Sequence, residues 1–174
     1  IMVAHGLKLI RQNKSIAGIA AILELSGRSL TTLTASDLGF SIAPRLNAAG
    51  RLTDMSLGIE CLLTDDMQVA TKMAEQLDTL NKERRQIQGY MHIQAMKFLD
   101  DYLKQSSGEI PHGLCLYDPE WHQGVIGILA AKVKETFHRP VIAFAKEDDA
   151  EGSDAIIKGS ARSINGLHIR DCLE

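Results

Sequence analysis

From Asp66 to Gln105 the chain contains no proline, and its one glycine, Gly89, comes only after Ile87. Val69, Met73, Leu77 and Leu80 recur at helical spacing, and Ile87, Met91, Ala95, Phe98 and Leu103 resume the stripe. Asp65 and Asp66 stand where the positive end of a helix dipole favours carboxylates. The spacing predicts a single helix over residues 65–106, roughly 60 Å long at ~1.5 Å per residue. A helix of that length joins two lobes more readily than it fits inside one. Its middle, Asn81 to Gln88, is polar on nearly every face, which predicts a solvated span with Arg84 and Arg85 in water.

The sequence on either side has different periods. Residues 1–64 read as short helices. Ile16 to Leu25 is one, with Ser15 as candidate N-cap and Gly27 just past its end. Thr34 followed by Asp37 is a capping-box variant, Pro44 is expected to stop the helix before it, and Ser56 is a candidate cap for a turn or two through Leu63. Beyond Gly113 the period changes. Gly113 to Tyr117 reads as a strand, His122 to Phe137 as a helix, and Val141 to Ala145 as a second buried strand. That order is a β-α-β unit with a parallel pair. An acidic loop, Glu147 to Asp154, leads to a third strand from Ala155 to about Arg162, and Gly166 breaks the chain before a final helix. The expected fold is α/β: a helical region, a connecting helix, and part of an α/β domain over residues 107–174.

With 174 residues and a net charge of −3, no overall basic field advertises a polyanionic partner, so nucleic-acid binding has to come from local Arg and Lys placement. Cys61, Cys115 and Cys172 form no Cys-x-x-Cys pair, which argues against a zinc knuckle or a disulfide framework and for thiols in a reducing compartment. No apolar run approaches the ~18 residues needed to span a bilayer, so no membrane partner is expected. The start at Ile1, without Met, and the end at Glu174 inside a helical pattern suggest an excised internal segment.

Three segments carry candidate chemistry. In Gly39 to Leu52, GFSIAPRLNAAGRL, Arg45 and Arg51 bracket Asn47 and small residues that would let a backbone approach a ligand. Paired guanidinium groups suit phosphate, although Arg45 bound to an acid in an interlobe elbow explains the same pattern. In Asp118 to Gly127, DPEWHQGVIG, a strand leads into a helix whose N-terminus favours anions. There Trp121 is a candidate base-stacking residue and His122 a candidate phosphate donor; equally, Trp121 could fill a lobe interface. In Lys158 to Ile164, KGSARSI, alternation puts Ser160 and Arg162 on one face of an extended chain, a pattern suited to a terminal phosphate or to a solvated edge strand. No nucleotide-loop motif, zinc-hydrolase motif or dense Asp/His cluster occurs.

Taken in order, GFSIAPRLNAAGRL, LDTLNKERRQI, LYDPEWHQGVIGILAAKVKETFHRPVIAFA and KGSARSINGLHIRDCLE resemble the RecJ family of 5′→3′ single-stranded-DNA exonucleases, within the DHH phosphoesterase superfamily. The resemblance implies that residues 1–64 are the C-terminal helical part of a DHH domain, 65–106 the interdomain helix, and 107–174 the N-terminal part of the DHH-associated domain. It implies a cytoplasmic parent enzyme of DNA repair and recombination. That parent would use Mn²⁺ or Mg²⁺ held by residues outside this segment, so the segment alone would be inactive. Ser160 and Arg162 would contact the 5′ phosphate, with Arg51 or Arg45 reaching in from the other lobe and Trp121 and His122 lining the cleft. The implied partners are single-stranded DNA with a 5′ end and repair proteins such as a helicase or a single-strand-binding protein. Two other readings compete: a DHH phosphodiesterase of short oligonucleotides or cyclic dinucleotides, and a non-catalytic scaffold using the long helix.

Overall fold

A computed structural model describes residues 1–147 and 156–174. Most of the predicted acidic loop, and the first residue of the predicted third strand, lie outside the described residues. The chain divides into two compact units, Ile1–Arg84 and Arg85–Glu174. The boundary falls within the long helix, so each unit takes one part of that helix into its own core.

The first unit is helical. It contains α1 (Met2–Arg11), α2 (Ala17–Leu25), a 3-10 turn (Leu30–Thr32), the short α3 (Ala35–Asp37), a π-turn (Leu38–Ile42), α4 (Ala43–Leu52), α5 (Ser56–Leu63) and the start of α6 (Met67–Gln105). Ile22, Leu23, Leu33, Cys61 and Leu77 are fully or almost fully buried in its core. Each large aliphatic side chain buried in this way contributes roughly 1.5–3 kcal/mol. Where α2 crosses α5, Gly18 has no side chain to hold them apart: a Cβ there would lie 1.9 Å from the Cys61 carbonyl oxygen. The Thr34–Asp37 capping box forms in full, with Asp37 Oδ2 accepting from the Thr34 N–H at 2.9 Å.

Four local expectations change. Ser15 does not cap α2; its hydroxyl turns to the Ile16 carbonyl, and Ile16 is the N-cap. Ser56 is the first residue of α5, and Asp54 Oδ1 accepts from its N–H at 2.7 Å. Pro44 does not end a helix but opens α4, directly after the π-turn. A proline ring clashes with the carbonyl four residues back in a regular α-helix; one extra residue in the preceding turn moves the carbonyls out of that register. The polar middle of α6 is also not solvated on every side. Asn81 is 5% exposed, and its Oδ1 accepts from Arg84 Nη2 at 2.8 Å. The buried seam of this part of α6 runs along Ala70, Ala74 and Leu77, while Val69 stays exposed.

The second unit holds the rest of α6, then β1 (Leu114–Tyr117), α7 (Ile126–Phe137), β2 (Val141–Lys146), β3 (Ile157–Arg162) and α8 (Ile169–Leu173). The three strands form a sheet in the order β1-β2-β3. β1 and β2 are parallel, as the β-α-β pattern predicts, and β3 returns antiparallel with Val141 opposite Arg162 and Ala143 opposite Ser160. Leu114, Leu116, Val141 and Ala143 are buried on one face, against Val125, Leu129 and Val133 from the α7 region. On the other face Phe144 lies over Gly159, its register partner, where a Cβ would come within 2.7 Å of the ring. α7 ends at His138 in the left-handed conformation (φ 51°), ahead of Pro140. It begins at Ile126, not at His122. Asp118 Oδ1 accepts from the Glu120 N–H at 2.8 Å, and the Trp121 and Val125 N–H groups turn back to the Asp118 and His122 carbonyls, so successive tight turns occupy the stretch expected to be helix.

Candidate nucleic-acid interface

Residues directly opposite one another in an antiparallel pair share a face. Ser160 and Arg162 therefore point to the same side of the sheet as buried Ala143 and Val141, the side that α7 covers. Both remain half-buried. Arg162 Nη1 donates to the Ser160 hydroxyl at 3.2 Å and to the Ala161 carbonyl at 2.7 Å, which fixes the plane of the guanidinium. Beneath them runs the first turn of α7. A Cβ on Gly127 would come within 2.8 Å of Arg162 Nη2 and 2.9 Å of Ser160 Oγ. The structure thus brings two of the sequence-predicted segments together: the end of DPEWHQGVIG lies against the centre of KGSARSI. A guanidinium, a hydroxyl and the N-terminal end of a twelve-residue helix make an arrangement suited to a phosphate.

The flanking residues of KGSARSI have other tasks. Lys158 is ion-paired with Glu147, and Ser163 Oγ accepts from the Ile169 N–H at 3.1 Å, ordering the start of α8. Gly127 is a residue of this candidate site that the sequence pattern does not single out. Its signal is thermodynamic: glycine in a helix is unfavourable by about 1 kcal/mol relative to alanine, so its place in the first turn calls for a reason such as close approach.

Trp121 is enclosed by the structure rather than presented for stacking on a base. It is 2% exposed, donates its indole N–H to Gln94 Oε1 at 3.0 Å, and packs its ring against Phe98 with centroids 6.4 Å apart. A large aromatic with one polar atom is well suited to an interior once that atom finds a partner. Its role is to tie the 118–125 loop to α6. The next residue, His122, is half-buried, and its Nδ1 accepts from the Gly124 N–H at 3.0 Å. In the neutral ring that bond puts the hydrogen on Nε2, leaving Nε2–H as the donor. His92 on α6 differs: its Nδ1 is enclosed without a partner, and burial, together with the Lys132 charge, pushes its pKa below the usual histidine value.

In the first unit the two arginines of PRLNAAGR are not equivalent. Arg45 donates through Nε and Nη2 to Asp78 Oδ1 at 2.9 and 2.8 Å, and through Nη1 to the Ser41 carbonyl at 2.6 Å. Its side chain is 15% exposed. Every guanidinium nitrogen is engaged inside the unit, so the acid-paired reading of Arg45 describes the geometry. Lys82 Nζ meets the other Asp78 oxygen at 2.8 Å. Burial raises the Asp78 pKa, but the Lys82 hydrogen bond and the Arg45 charge outweigh it and hold the carboxyl below the usual range. Asn47 and Arg51, four residues apart, are exposed on α4, whereas Ala48 and Ala49 are fully buried. Ala48 and Ala49 thus serve helix packing, whereas Gly50 is exposed. Among the described residues, no group of three or more His, Cys, Asp or Glu side chains could hold a metal ion, Asp118, Glu120 and His122 included. No described helix is long and apolar enough to cross a membrane.

Known proteins resemble this chain in sequence and fold. Residues 111–174 match the DHHA1 domain. The whole chain is 52% identical to part of the single-stranded-DNA-specific exonuclease RecJ of Dickeya dadantii, of which it spans 29%. The fold superposes on crystal structures of RecJ from Thermus thermophilus. The complex with Mn²⁺ gives a TM-score of 0.74 at 31% identity over 95% of this chain and 22% of the other, and the complex with Mg²⁺ gives 0.72 at 30% identity over 94% and 23%. Along its whole length the chain is homologous to part of the RecJ single-stranded-DNA-specific exonucleases of the DHH superfamily, with a DHHA1 domain match over residues 111–174.

Proposed function

We propose that this chain is the strand-gripping region of a 5′→3′ single-stranded-DNA exonuclease, and that Ser160 and Arg162 hold the terminal 5′ phosphate. The observation that carries this reading is the contact of Ser160 and Arg162 with the first turn of α7 at Gly127. A 5′-terminal phosphate carries more negative charge than an internal diester. A fixed guanidinium, a hydroxyl and a helix N-terminus discriminate by that charge. His122, through Nε2–H, supplies a further donor on the loop that feeds α7. Asn47 and Arg51, on the exposed side of α4, contact the strand separately. In this reading residues 1–64, 65–106 and 107–174 are the end of the DHH domain, the connecting helix and the start of the DHH-associated domain.

The two RecJ crystal structures contain Mn²⁺ or Mg²⁺, and such ions, if bound in the intact enzyme, would polarise the scissile phosphate and activate water. In this reading the region's part is to bind and orient the strand. Repair proteins such as a helicase or a single-strand-binding protein would meet the intact enzyme in DNA repair and recombination.

The test is the preference for a phosphorylated end. In the intact exonuclease carrying this region, Ser160→Ala and Arg162→Ala should lower kcat/KM on 5′-phosphorylated strands by roughly tenfold or more. Strands ending in a 5′ hydroxyl should be affected far less. An unchanged ratio between the two substrates would remove the phosphate assignment.

A further inference from the structure

The environment of Arg45 and Asp78 is more elaborate than a helix–helix contact needs. The π-turn at Leu38–Ile42 puts one residue too many into its turn, which displaces carbonyls from the regular i→i+4 ladder. Ser41, 5% exposed, lies in that turn, and Arg45 Nη1 takes its carbonyl. The remaining two nitrogens of the same guanidinium bind one oxygen of Asp78, on α6. A single planar group thus joins the π-turn, α4 and α6. From Arg45, Asn47 and Arg51 lie within the next two turns of the same helix, on its exposed side. Rotation of α4 about its axis would carry both away from a bound strand, and the guanidinium fork resists that rotation because its nitrogens are held in fixed directions.

We propose that Asp78 is a positioning residue for nucleic-acid binding: through Arg45 it sets the orientation of α4 and so aims Asn47 and Arg51 at the DNA backbone, without touching DNA itself. The inference rests on the reading above that the exposed side of α4 contacts the strand. It assigns the two arginines of PRLNAAGR different tasks, Arg45 as the lock and Arg51 as the contact.

The experiment measures binding of a fluorescent 5′-phosphorylated oligo(dT) to the intact exonuclease, without metal, by anisotropy across a salt series. Removing one partner alone would strand a buried charge, so the informative variant is the double substitution Arg45→Met with Asp78→Leu. Replacing a buried pair by apolar residues of similar size commonly preserves stability. That variant should melt at or above the parent temperature yet bind about three- to tenfold more weakly. Its slope of log affinity against log salt should fall by about 0.7, as expected for one lost phosphate contact on a single strand. Arg51→Ala should show the same loss and the same change of slope. If Arg51→Ala weakens binding and the double variant binds like the parent, the positioning role is overturned. If Arg51→Ala itself binds like the parent, the α4 contact falls, and the positioning role falls with it. Should the double variant fail to fold, Asp78→Glu decides: it keeps the charge but lengthens the arm by a methylene. Weaker binding with the parent's melting temperature supports the role, and unchanged affinity overturns it.

Discussion

Gly127 offers a way to separate the proposed phosphate binding from stability. Alanine at this position would favour the helix by up to about 1 kcal/mol. Its methyl group, however, would meet Arg162 Nη2 and Ser160 Oγ at distances no real Cβ accepts, and both atoms are side-chain ends that can move aside. Gly127→Ala should therefore melt no lower than the parent while losing discrimination between 5′-phosphate and 5′-hydroxyl ends by several-fold, read from kcat/KM on the two strands. A lower melting temperature with unchanged discrimination would show the contact to be packing alone. Strand alternation, which depends only on local period, put Ser160 and Arg162 on one face, as the register has them; their assignment to a 5′ phosphate came from the family resemblance. The sequence could not separate Arg45 from Arg51, because their difference lies in Asp78, thirty-three residues away along the chain. Nor could it see that Trp121 is enclosed, since Gln94 supplies the partner its indole needs from another element.

At the level of elements, strong periodicity was legible and local punctuation less so. The long helix, both parallel strands and the Thr34–Asp37 capping box appear close to where the pattern puts them. Pro44 misled because the rule against proline assumes a regular α-turn before it, and the π-turn supplies a wider one. The start of α7 moved from His122 to Ile126 because an Asx turn at Asp118 and the burial of Trp121 outcompete helix propensity there. Glycine is again informative at the α2–α5 crossing. A Cβ on Gly18 would press into backbone, which cannot swing away as a side chain can. Gly18→Ala should destabilise the first unit by about 2 kcal/mol or more, measured by chemical denaturation, despite its better helix propensity. An unchanged midpoint would mean that the two helices separate without penalty.

For the whole molecule, the notable arrangement is two cores on one uninterrupted helix, with the unit boundary at Arg84 and Arg85 and no loop between them. The cysteines turn this into a chemical clock. Cys61 is fully enclosed in the first core, and burial pushes its thiol pKa up; Cys115 and Cys172, both in the second unit, are exposed. Alkylation proceeds through the thiolate and needs access, so a maleimide should consume two thiols quickly and the third only as fast as the first core opens. Mass spectrometry of timed samples would read this directly: a prompt double adduct, then a slow triple adduct whose rate rises with mild denaturant. Immediate triple labelling would mean that the first core does not stay closed. Because the slow thiol sits against Gly18, the same label reports on the α2–α5 crossing and leaves Ser160 and Arg162 of the second unit untouched.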